Sequence, residues 1–151
     1  MTTTARPATG HVGLNVRDLE RSKRFYERVL GFEVQGESRE DGRRYAFLGA
    51  DGRLVLTLWE QAAAQFAADR SGLHHLSFEV ADAAALDAAL ARVRAAGAPL
   101  LYDGIVPHGE GAASGGVFFA DPDGIRLEIY ARDARVERAA PTPGAPSCGF
   151  F

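Results

Sequence analysis

The chain holds very little cysteine, methionine, tryptophan or lysine: of 151 residues one is Cys, one Met and one Trp, and Lys23 is its lysine. With Cys148 as its lone thiol, an internal disulfide framework and a cysteine-rich zinc cluster are both excluded. Long apolar runs are missing too, so nothing reads as a membrane span, and residues 1–8 (MTTTARPA) hold no apolar stretch of a secretory leader. These absences predict a cytoplasmic protein. Charge of one sign is also lacking: a net charge of −3 leaves no basic surface of the strength nucleic-acid binding needs. What remains, 46% hydrophobic and 25% charged residues, is the make-up of an ordinary globular domain that can bury a core without staples.

What the chain does have is a repeat. "HVGLNVRD" (His11–Asp18) returns as "HLSFEVAD" (His75–Asp82), with histidine, valine and aspartate at the same spacing. Both openings alternate. Val12, Leu14 and Val16 face one way and His11, Gly13 and Asn15 the other; Leu76, Phe78 and Val80 oppose His75, Ser77 and Glu79. Each is a half-buried strand running into an aspartate suited to cap a helix, Asp18 and Asp82.

The first helix shows Ser22, Phe25, Tyr26, Val29 and Leu30 on one face and stops at Gly31; the second shows Leu86, Ala89, Leu90 and Val93 and stops at Gly97. Three strands are predicted after each: 32–35, 44–48 and 53–59, then 100–102, 117–120 and 125–130. Each half is therefore a βαβββ unit, and the fold class is α+β with two tandem units curving into a mixed-sheet cup. The expected organisation is a disordered start at 1–8, a first module at 9–60, a linker at 61–73, a second module at 74–131 and a mobile tail at 132–151.

In "IRLEIY" the apolar row is Ile125, Leu127 and Ile129, leaving Arg126, Glu128 and Tyr130 on the other face. If the sheets curl round one space, His11, His75 and Glu128 all face into it. Inward imidazoles and a carboxylate are costly unless paired or metal-bound. Two histidines and one carboxylate suit a divalent cation with open positions, whether non-haem iron or catalytic zinc. Each residue has an ordinary alternative: a hydrogen-bonded core histidine, or a Glu128 paired with Arg126 on a wet surface. The repetition of the histidine favours the ligand reading.

The pieces "HVGLNVRDLERSKRFYERVLGFEV", "GLHHLSFEV" and "FFADPDGIRLEIY" together resemble the vicinal oxygen chelate superfamily, which includes glyoxalase I, extradiol dioxygenases, fosfomycin-resistance enzymes and bleomycin-binding proteins. The resemblance covers 11–131. It implies two βαβββ modules cupped around one divalent ion, with ligands at His11, His75 and Glu128; His74 has the wrong parity and is read as structural. Glyoxalase I uses a further carboxylate or amide late in the first module, and that position falls on Leu56 or Thr57 according to how the halves are aligned. Neither supplies one, and Glu60 lies at the strand end.

The extradiol signature is matched by His108 and by the Asp121-Pro122-Asp123-Gly124 turn before Glu128, but Phe118 stands where that signature has a tyrosine. The resemblance thus implies a mononuclear metalloenzyme, dioxygenase-like, gripping adjacent oxygens of a small organic substrate, with Fe2+ favoured over Zn2+, Ni2+ or Mn2+. His108 is the candidate acid–base residue. Asn15, Ser77, Phe119, Arg126 and Tyr130 are the candidate substrate contacts. The alternatives are a glyoxalase I-like isomerase or lyase and a metal-free binder of a drug or metabolite. The glycine-rich 103–116 stretch lacks the ending of a phosphate loop and suits a lid. The resemblance also implies a homodimer.

Overall fold

A computed structural model describes residues 4–151. The expected disorder over 1–8 falls partly outside them; residues 4–8 are exposed and take no regular structure. The first module runs β1 (Val12–Asn15), α1 (Leu19–Leu30), β2 (Glu33–Ser38), β3 (Tyr45–Ala50) and β4 (Arg53–Trp59). The second runs β5 (Leu76–Glu79), α2 (Ala83–Ala95), β6 (Val106–Pro107), β7 (Gly115–Ala120) and β8 (Arg126–Ala131). Each forms a four-stranded sheet, ordered β1-β4-β3-β2 and β5-β8-β7-β6. The opening strand lies parallel to the last one and the remaining pairs are antiparallel.

The caps follow from the sequence. Asp18 accepts from the Arg21 amide and Asp82 from the Ala85 amide, each satisfying a free N–H of a first turn. Gly31 ends α1 at a φ of 71°, a left-handed conformation open to a residue without Cβ. The predicted strand at 100–102 is corrected: Leu100 makes one bridge to Phe119, and the short edge strand lies later, at Val106–Pro107. The glycines and turn residues around it blurred the alternation that marks a strand.

The helices and the helix-covered sheet faces share one core that includes Leu14, Tyr26, Val29, Leu86, Val93, Phe119 and Leu127. Phe25 of α1 reaches Phe119 of β7, with ring centroids 6.3 Å apart, and Arg92 of α2 donates to the Val29 carbonyl at 2.9 Å. The two modules therefore meet through their helices and apolar faces. Among the described residues, no helix is long and apolar enough to cross a membrane.

Residues 132–151, expected as a mobile tail, lie against the second module. Ala134, Ala140 and Ser147 are buried, and the last residues cross the open face of the second sheet.

Candidate metal and substrate site

Glu128 is central to that open face. Strand β8 alternates Leu127 and Ile129 into the core, so Glu128 points the other way, yet it is only 3% exposed. One imidazole hydrogen-bonds this buried carboxylate and a second lies beside it. Nε2 of His108 lies 2.5 Å from one oxygen, and Nε2 of His75 lies 3.7 Å from the other. His108 follows β6 and His75 precedes β5, so the two strands flanking the β7–β8 pair deliver them from opposite sides.

Each imidazole is held from behind. Nδ1 of His108 meets the Ser114 hydroxyl at 2.8 Å; since a carboxylate only accepts, Nε2 carries the proton and Nδ1 accepts from Ser114. Nδ1 of His75 meets Nδ1 of His74 at 2.8 Å, which leaves Nε2 of His75 aimed at Glu128. Burial lowers the His75 pKa below its ordinary 6.5; the Glu128 charge opposes this, while His74, Arg126 and His108 reinforce it. The lowered value favours the neutral imidazole, the form that binds a metal. The role of His74 in orienting His75 was not read from the sequence, where parity removed it from the inward row; its adjacency to His75 was the available signal.

Register places the other candidates. Ser77 lies opposite Glu128 on the neighbouring strand. Phe118, not Phe119, pairs with Glu128 across β7–β8 and shares its face. Phe119 is corrected from pocket lining to core: it is fully buried against Phe25, because alternate residues of a strand point to opposite faces. Arg126 donates to the His74 carbonyl at 3.0 Å and does not pair with Glu128. The Tyr130 hydroxyl donates to Glu79 at 2.9 Å, and its ring lies 5.4 Å from that of His108. Asn15 is exposed and lines a separate cleft with Gln65, Phe66 and Asp123.

His11 is exposed immediately before β1. None of the hydrogen bonds or ion pairs around Glu128 among the described residues involves it. Nor does any group of three His, Cys, Asp or Glu side chains among them stand ready to hold one ion within this single chain. The open face of the first module is aromatic, with Tyr45, Phe47 and Trp59 in mutual contact at 5.0–6.0 Å.

Pairing also settles the two alignments of the halves. Gly13 lies opposite Thr57 as Ser77 lies opposite Glu128, so Thr57 is the counterpart of Glu128. Its hydroxyl accepts from the Trp59 indole at 3.0 Å and offers no carboxylate. The model of the Glyoxalase/Bleomycin resistance protein/Dioxygenase superfamily matches residues 8–129.

The chain belongs to this superfamily. Within it, the chain is 39% identical over 126 residues to a catechol-2,3-dioxygenase of Bacillus subtilis (strain 168), covering 81% of this chain and 40% of that protein. It is 30% identical over 143 residues to a biphenyl-2,3-diol 1,2-dioxygenase of Sphingomonas paucimobilis, covering 94% of this chain and 44% of that one. It thus spans less than half the length of either dioxygenase. A glyoxylase/bleomycin resistance protein/dioxygenase domain from Frankia sp. EAN1pec superposes with a TM-score of 0.72 at 30% identity, over 84% of this chain and 93% of that one. The superfamily fold accounts for the repeat.

Proposed function

We propose that the chain is a metal-dependent enzyme acting on a small oxygen-bearing organic substrate, most closely a ring-cleaving dioxygenase. One observation carries the reading: a buried carboxylate flanked by two imidazoles, on the open face of a superfamily module. The donors fit a divalent cation, since neutral imidazole nitrogens and a carboxylate are its ordinary ligands and pairing with an ion repays their burial. His75 and Glu128 hold the ion from the second module and His11 completes the set. In this reading His11 comes from a second copy, whose first-module open face lies over the second-module face of its partner in a homodimer. Fe2+ is favoured, and when bound it supplies Lewis acidity toward adjacent substrate oxygens and a redox centre for dioxygen.

The protein's own groups do the rest. With Glu128 engaged elsewhere, Nε2 of His108 loses its acceptor. The imidazole proton then moves to Nδ1, where Ser114 accepts it, and Nε2 becomes free to take a proton from a substrate hydroxyl. Phe118 and Tyr130 flank this position and exclude water, and Phe118 contributes no phenol to the acid–base set. Thr57, with no carboxylate or amide, tells against the glyoxalase I-like alternative. The separation of His11 within one chain favours a second reading, a metal-free small-molecule binder.

Oxygen uptake separates these. Protein loaded with Fe2+ under anaerobic conditions and then mixed with 4-methylcatechol in aerated buffer consumes oxygen and produces a yellow ring-opened product if the first reading holds. Binding of the catechol without oxygen uptake, unchanged by iron, is the outcome of the second.

A further inference from the structure

Residues 147–151 are seated on the site just described. Ser147 is fully buried, its hydroxyl donating to the Pro107 carbonyl at 2.6 Å and its amide to the His108 carbonyl at 2.9 Å. The Tyr102 hydroxyl donates to the Ser147 carbonyl at 2.8 Å, and His74 donates to the Gly149 carbonyl at 3.2 Å. Beyond this anchor the Phe151 ring enters a slot. Its centroid lies 5.5 Å from Phe118, 5.9 Å from Tyr102 and 6.3 Å from His75, with the Arg126 guanidinium 5.0 Å away.

This slot adjoins Glu128: Phe118 pairs with it and His75 faces it. A permanent wall would pair as a strand or bury its apolar residues throughout, but the segment does neither. It has no strand partner, and Phe150 beside the seated ring is 67% exposed. Its last carbonyls are held only by side chains, Phe150 by Tyr102 at 3.2 Å and Phe151 by Arg126 at 3.4 Å, contacts that water can replace at small net cost.

We propose that residues 147–151 are a displaceable occupant of the site, with the Phe151 ring filling a slot that an aromatic part of the substrate takes once the segment leaves. The inference rests on placing the reaction at Glu128. The slot suits a flat, electron-rich ring, because a guanidinium cation and ring edges attract π density.

Two experiments without added metal test it. In the first, a chain ending at Pro146 is titrated with the free peptide Ser-Cys-Gly-Phe-Phe while the His75 and His108 imidazole signals are followed by NMR. Saturable binding that shifts both signals, and competition by N-acetyl-phenylalaninamide, is the expected result; a folded shortened chain that ignores the peptide overturns the proposal. In the second, Phe151→Ala in the full chain should speed alkylation of Cys148 by iodoacetamide roughly tenfold, since the thiol is half-covered while the segment is seated. An unchanged rate overturns the proposal even if the shortened chain fails to fold. Neither readout uses an ion, so failure of the metal reading, judged by ion stoichiometry, is distinguishable from failure here.

Discussion

The Tyr26 hydroxyl on α1 donates a 2.8 Å hydrogen bond to Asp121 in the turn before β8, fastening a helix of the first module to the strand that carries Glu128. Both groups are buried, and the same carboxylate accepts from the amides of Asp123 and Ile125. Burial holds the Asp121 pKa above its ordinary 3.8, against the hydrogen bonds from Tyr26, Ile125 and Asp123. A raised value means that the ionised form costs stability: stability falls as pH rises from 3.8 through the folded value, and the cost is complete above it. Tyr26→Phe removes a donor to the ionised form and pushes the value higher. The expected loss is about 1–3 kcal/mol at pH 8, narrowing as pH falls toward 3.8. Urea unfolding at several pH values measures it.

Asp123 makes the second fastening between modules. It is 2% exposed and accepts from the Arg17 Nε at 2.8 Å and the Arg21 Nη2 at 3.0 Å. Both arginines are partly solvated, so part of the attraction is screened. Asp123→Ala is expected to cost about 1–2 kcal/mol in low salt and less in 1 M NaCl, whereas a purely steric role would give a salt-independent loss.

Gly116 makes a close approach that the metal reading depends on. A Cβ there would stand 2.8 Å from the Ile129 carbonyl and 3.2 Å from the Glu128 carboxylate. Gly116→Ala should therefore displace Glu128 and weaken ion binding by about tenfold while leaving a folded chain. Mn2+ titration followed by EPR, with circular dichroism as the folding control, checks both halves.

Much of this arrangement was legible from residue order because it rests on short-range periodicity. The alternation at 11–16 and 75–80 fixed which residues share a face with each histidine, and Asp18, Asp82 and Gly31 marked helix ends through local hydrogen bonds and backbone freedom. Position 118 shows the limit. Its face follows from pairing with Glu128 across the strands, and periodicity alone does not say which of the phenylalanines at 118 and 119 shares that face. The seating of Phe151 also escaped, since a proline-bearing segment without periodicity gives no sign of which surface it meets. Whether two modules turn their open faces together depends on how the helices pack, and no spacing in the chain encodes that.

In the proposed function His108 moves protons and does not hold the ion. His108→Ala should lower kcat by roughly 10²- to 10⁴-fold with ion content unchanged. Ser114→Ala, which removes the partner of Nδ1, should lower kcat less, with ion content again unchanged. Equal loss of ion and activity in His108→Ala would instead make it a ligand.

The central claim is that His11, His75 and Glu128 hold one divalent ion, and ion stoichiometry in single variants tests it most directly. Wild-type protein dialysed against Mn2+ should retain one ion per chain, as should His108→Ala, while Glu128→Gln, His75→Ala and His11→Ala should each retain almost none. Wild-type protein that takes up no ion, or a Glu128→Gln variant that keeps a full one, would contradict the account.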